Sequence, residues 1–94
     1  MKDQFYTKYK HKIVSLKKLL SRIKKNKNKK TVMCHGVFDV VHPGHVRHLV
    51  YAKSKADILV VSLTADKFIK KGIYRPHVPE RIRALNLAAF EMVD

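Results

Sequence analysis

Acidic residues are scarce in this 94-residue chain: seven Asp and Glu stand against 21 Lys and Arg, for a net charge of +14. In the first thirty residues only Asp3 is negative, against twelve basic side chains, so that stretch carries +11 and residues 31 to 94 carry +3. The globular part is therefore only mildly basic. Cysteine is limited to Cys34, which excludes an internal disulfide and fits a reducing compartment. No run of eighteen apolar residues and no signal segment with an apolar centre is present, so neither a membrane span nor export is expected, and the expected location is the cytoplasm. Internal repeats are absent, and the length admits one small domain with a modest core. The aromatics are scattered and RNA-binding signatures are missing, which speaks against a nucleic-acid module in spite of the charge.

The basic leader has a pattern of its own. Phe5, Tyr9, Ile13, Leu16, Leu20 and Ile23 recur at steps of three or four, as on one face of a helix. Ser15 is placed to cap a second helical piece from Leu16 to Lys24, although Lys18 stands where a capping box wants Glu or Gln. Lys24 to Lys30 reads as a polar linker. A basic amphipathic segment suits a membrane surface, nucleic acid or a partner helix, but a docking or linker helix with a solvated lysine face is the plainer reading. The expected organisation is residues 1–30 as basic helix and linker, followed by residues 31–94 as one α/β unit.

From Thr31 the pattern alternates. A strand is expected at 31–35, a helix at about 44–55, a strand at 58–63 and a helix at about 79–91, with a loop over 64–78 that includes one short helical turn. The run Ile58 to Leu63 has the apolar character of a parallel strand buried on both faces. Pro79-Glu80 opens the last helix, whose apolar residues cover a wide face. The fold class that follows is α/β, with right-handed crossovers over a Rossmann-like parallel sheet.

Between the first strand and its helix lies Gly36-Val37-Phe38-Asp39-Val40-Val41-His42-Pro43-Gly44-His45. A strand-to-helix turn of this kind aims backbone N–H groups and the positive end of a helix dipole at one small volume, which suits a phosphate. His42 and His45 flank that volume. Gly44 would admit a phosphate close to the backbone, and Pro43 tolerates a helix start without an N–H.

The same string, Gly-x-Phe-Asp-x-x-His-x-Gly-His, resembles the signature of the cytidylyltransferase-like nucleotidyltransferases, relatives of glycerol-phosphate cytidylyltransferase and of the adenylyltransferase half of bifunctional heptose-phosphate kinase/adenylyltransferases. The likeness continues through Ala56 to Asp66, Lys71-Gly72, Arg75-Pro76, Arg83 and Val93-Asp94, and so covers roughly residues 12 to 94. It implies transfer of a nucleoside monophosphate from CTP or ATP to a small phosphorylated sugar or polyol, with release of pyrophosphate. The attacking phosphate is already an anion, so positioning and charge neutralisation carry such catalysis. By the same resemblance His42, His45 and Lys71, with Lys70 beside it, contact phosphate, and Arg83 binds the triphosphate. Gly36, Val37, Phe38 and Gly44 line the nucleotide. Asp39 orders the loop or sits near Mg²⁺, which arrives with the phosphates. The family's second lysine after the glycine is replaced here by Tyr74. A full domain of the family has further strands and a Ser/Thr-rich signature loop, so the resemblance implies a truncated domain, inactive alone, or one completed by a following segment or a second copy.

Other residues were weighed beside these. Cys34 with His35 could form a nucleophile and base, but neighbours on a strand point to opposite faces, so Cys34 reads as core. His42, His45 and His48 at three-residue steps could suggest zinc, but such steps spread side chains around a helix, and no metal ligands are assigned. His35, His48 and His77 read as bystanders, Asp57 as a strand opener, and Asp66 as equally suited to either role. The competing function is a basic nucleic-acid-binding or interaction fragment without catalysis.

Overall fold

The computed structural model describes residues 4–69 and 76–94. The leader forms two helices, α1 (Gln4–Tyr9) and α2 (Leu16–Lys25), separated by a single 3-10 turn at Lys10–Lys12 and an extended segment. The break falls where Ser15 turns its hydroxyl to accept from Lys18 N–H at 3.2 Å, the expected cap. The apolar spacing is thus shared between two helices and does not run through one. The leader is also docked: α1 packs on the last helix, and Lys12 Nζ donates to the Phe90 carbonyl oxygen at 3.1 Å.

The α/β unit follows as β1 (Thr31–Gly36), α3 (Pro43–Ser54), β2 (Ile58–Leu63), a 3-10 turn at Asp66–Phe68, and α4 (Glu80–Ala88). β1 and β2 pair in parallel with Thr31 opposite Ile58 and Gly36 opposite Leu63. The architecture is the expected α/β, Rossmann-like arrangement in partial form, with a helical leader. α3 starts one residue early because Pro43 occupies its first position. α4 is shorter than expected at both ends: Pro79 precedes it as the cap, and Ala89 and Phe90 close it in a turn. No helix among the described residues is long and apolar enough to cross a membrane.

The register places Val32, Cys34 and Gly36 on one sheet face with Leu59, Val61 and Leu63. On that face Cys34, Phe38, Leu49, Ala52, Leu59, Leu87 and Val93 form the core, with Leu49 and Leu59 fully buried. Cys34 is therefore the core residue expected. β2 departs from the expectation of burial on both faces, because Leu59 is its sole fully buried residue and the rest are half-buried. The reason is the opposite face, where Met33 is 55% exposed and α2 and α4 leave a groove of about 780 Å³ over Ile58, Val60 and Ser62.

Asp57 opens β2 as expected, its carboxylate accepting from Lys30 N–H at 2.8 Å. Asp94 sits on the other edge of β2. Its carboxylate accepts from Leu59 N–H at 2.8 Å and from Lys53 Nζ at 2.6 Å, and its own N–H donates to the Leu59 carbonyl.

Candidate phosphate-binding turn

β1 ends at Gly36, and the chain must turn at once to start α3 on the core face. Phe38 makes that turn with φ 51°, in the left-handed region, while its ring folds back into the core. A Cβ at Gly36 would stand 2.9 Å from the Phe38 ring, so the fold itself favours glycine there. Gly44 is constrained in the same way, since a Cβ would lie 2.7 Å from the His42 ring.

His42 is the N-cap of α3. Its Nδ1 accepts from Gly44 N–H at 3.0 Å, and its backbone N–H donates to His45 Nδ1 at 3.2 Å. The two bonds form a reciprocal capping box made from imidazoles. Since Nδ1 of each ring is an acceptor, the proton of each neutral ring is on Nε2. The rings lie 4.0 Å apart between centroids, and His45 meets Phe38 edge-on at 5.4 Å. Partial burial, followed by the charges of His42 and His48, pushes the His45 pKa below histidine's ordinary 6.5, which favours the neutral ring. Two preset Nε2–H donors therefore sit at the positive end of α3.

One expectation is corrected here. The first N–H groups of α3 are not free to hold phosphate: Pro43 has none, Gly44 donates to the His42 ring, and His45 and Val46 donate to the His42 carbonyl at 2.9 and 3.2 Å. The imidazoles take the place of those backbone donors.

Asp39 does what the loop-ordering alternative required. Its Oδ2 and Oδ1 accept from His77 and Val78 N–H at 2.9 and 2.8 Å, tying the segment before α4 to the turn. Arg83, which the resemblance assigns to the triphosphate, is held by partners within the protein. It is fully buried, with Nε donating to the Val78 carbonyl at 3.0 Å and Nη1 to the Val37 and Thr64 carbonyls at 2.7 and 2.9 Å. Its Nη2 meets Asp66 Oδ1 at 2.6 Å. Asp66 in turn accepts from Glu80 N–H at 3.1 Å, and that bond, followed by the Arg83 hydrogen bond, holds its carboxyl below the usual range. Lys70 and Lys71 lie outside the described residues.

Sequence reasoning passed over two features. His35 is no bystander in the sheet: its Nδ1 lies 3.0 Å from Ser62 Oγ and its Nε2 3.3 Å from Thr64 Oγ1, bridging the ends of β1 and β2. The strand register, which pairs His35 with Ser62, was the available signal. His48 packs its Nε2 3.7 Å from Cys34 Sγ. Among the described residues no three of His, Cys, Asp and Glu gather as a metal site. The hollow beside the turn, lined by Val41, His42, Pro43, Val46, Arg47 and Phe90, is more open than the groove on the other face; the donors, and not the larger volume, mark the turn as the candidate site.

The sequence profile of the family described as Cytidylyltransferase-like matches residues 33–94, which contain the whole of this turn and all four residues that Arg83 holds. The chain belongs to that family. It is similar to the bifunctional protein HldE of Helicobacter acinonychis (strain Sheeba), 47% identical over 85 residues, which covers 88% of this chain and 18% of the relative. It is similar also to the bifunctional protein HldE of Campylobacter jejuni subsp. jejuni serotype O:2, 46% identical over 88 residues, covering 92% of this chain and 19% of the relative. The chain thus spans about a fifth of the length of these curated relatives.

Proposed function

We propose that this cytidylyltransferase-like unit transfers a nucleoside monophosphate from CTP or ATP to a small phosphorylated sugar or polyol. A phosphate oxygen of the acceptor attacks the α-phosphorus, a new P–O bond forms, the bond to the β-phosphate oxygen breaks, and pyrophosphate leaves. The observation that carries the reading is the reciprocal His42–His45 cap, which leaves two fixed Nε2–H donors side by side. Donors held in advance lose no reorganisation energy when charge builds on the phosphoryl oxygens. The Gly36, Val37 and Phe38 backbone with the Phe38 ring forms the wall beside them, and Gly44 keeps the cap compact.

Asp39 acts by fixing the segment before α4, and Lys71, assigned by the resemblance, adds charge to the phosphates. A Mg²⁺ ion carried on the phosphates with its own waters suits this donor set, because such an ion needs few protein ligands and supplies charge neutralisation. The likeness to proteins named bifunctional HldE, together with the motif, supports a sugar-phosphate acceptor.

The test is pyrophosphate release by the native protein with CTP and ATP against a panel of sugar and polyol phosphates. His42→Ala and His45→Ala are each expected to lower turnover roughly 100-fold, as loss of an oxyanion-type donor does. Turnover within about threefold for both variants would remove the transition-state role.

A further inference from the structure

We infer that α2 is a second binding surface, which seats the chain on an anionic phospholipid bilayer without crossing it. The inference is independent of the nucleotide reading. A helix whose only task is docking covers its apolar stripe against the body it docks on. α1 rests on α4, whereas no residue of α2 is buried. At the pitch of an α-helix, Leu16, Leu19, Leu20 and Ile23 share an arc of about 100°. Leu19 and Ile23 border the groove on the back of the sheet and are half-buried, but Leu16 and Leu20 are 69% and 56% exposed.

The rest of the helix is Ser21 and five cations, Lys17, Lys18, Arg22, Lys24 and Lys25, with no acid among them. Lys17 and Lys24 fall beside Leu20, about 60° and 40° further round. Exposed leucines one turn apart, flanked by lysines, match the chemistry of a lipid headgroup layer. The leucine side chains enter the acyl boundary, and the lysine stems lie along it while their ammonium groups stay with the lipid phosphates. Anionic lipid attracts each lysine held near its surface, which suits a leader that carries +11. The helix is also formed in advance. Ser15 caps its start, and Asn26 Nδ2 donates to the Arg22 carbonyl at 2.8 Å at its end, so little ordering is left to binding.

Other occupants fit this face less well. Nucleic acid would satisfy the lysines with phosphates and leave Leu16 and Leu20 in water. The aromatic rings that single strands stack on are engaged within the leader: Phe5 and Tyr9 meet edge-on at 5.4 Å, and Lys10 Nζ lies 6.0 Å from the Tyr6 ring centre. Arg22, the leader's one guanidinium, donates to the His11 carbonyl at 3.3 Å. A second copy of the chain would bring +14 against +14.

The experiment is co-sedimentation of the purified chain with vesicles of phosphatidylcholine alone, and of phosphatidylcholine with an equal part of phosphatidylglycerol. Native, Leu16→Gln/Leu20→Gln and Lys17→Gln/Lys24→Gln forms are compared, with circular dichroism to verify that each keeps its helices. The native chain is expected to sediment with the phosphatidylglycerol vesicles and to stay in solution with phosphatidylcholine alone. Each double variant is expected to bind the anionic vesicles about tenfold more weakly or worse. The chain has no tryptophan, so a Leu20→Trp form reports on that position alone, and its emission should move to the blue on anionic vesicles. Full binding by the leucine variant would overturn the proposal, as would sedimentation of Leu20→Trp without a blue shift, because charge alone would then explain the contact. Equal binding to both kinds of vesicle would overturn the part given to the lysines. Absence of vesicle binding by the native chain would overturn it outright, and tight, salt-dependent binding of duplex DNA or RNA would then assign the face to nucleic acid.

Discussion

His42 uses one ring for two purposes in this account: its Nδ1 closes the first turn of α3, and its Nε2–H is the donor that the proposed function requires. His45 repeats the device in the opposite direction. An imidazole is the one side chain that can accept at one ring nitrogen and donate at the other without changing charge. The pH dependence follows from the lowered pKa of His45. Below its ordinary 6.5 the unfolded chain binds a proton that the folded chain resists, so the contribution of His45 to stability is present at neutral pH and is lost as pH falls through the lowered value. Melting curves at stepped pH between about 7.5 and 5 should show stability falling in native protein. The fall should be shallower in His45→Ala. Asp66 adds a separate loss at lower pH: its carboxyl is held below 3.8, so its contribution is present above that value and disappears as pH drops through the folded pKa.

At the scale of elements, β1, α3 and β2 were legible because each has a period or an apolar run of its own, although the run of β2 overstated its burial, since only Leu59 is fully buried. Leu49 on α3 and Leu59 on β2 are fully buried where those patterns meet, and Leu49→Ala should cost about 3 kcal/mol in denaturant unfolding. Gly36→Ala is expected to displace the Phe38 ring, with a loss of nucleotide response that exceeds its loss of stability, since the ring also meets His45. The motif residues His42, Gly44, His45 and Asp39 were readable as a set, but their bonding was not. No pattern in sequence says that the histidines cap their own helix and so consume the N–H groups of α3. The partners of Arg83 were hidden for a related reason. An arginine near a phosphate motif invites a contact with the ligand, whereas its partners within the protein are Asp66 and three carbonyls brought together from Val37, Thr64 and Val78, which only the tertiary fold makes neighbours. The shared cap between Asp66 and Glu80 belongs to the same class, because its two halves are fourteen positions apart.

The whole molecule divides its charge from its chemistry. Most of the +14 belongs to residues 1–30, and that segment meets the α/β unit through α1 against α4, through Lys30 on Asp57 and through Lys12 on the carbonyl of Phe90, a residue that lines the hollow beside His42. Lys12 lies where a cation favours the C-terminal end of α4. Lys12→Met is therefore expected to lower the melting temperature slightly while leaving nucleotide affinity within about twofold, as for sites that share no partners. Steeply salt-dependent binding of RNA or DNA that vanished without the leader would oppose this division. The account as a whole depends on the protonation pattern of two rings, and long-range ¹H–¹⁵N spectra of the histidine side chains read it directly. The prediction is that His42 and His45 both carry the proton on Nε2 at neutral pH, and that both Nε2 resonances move when Mg·ATP or Mg·CTP is added. Protons on Nδ1, or Nε2 resonances that stay unmoved at saturating nucleotide, would contradict it.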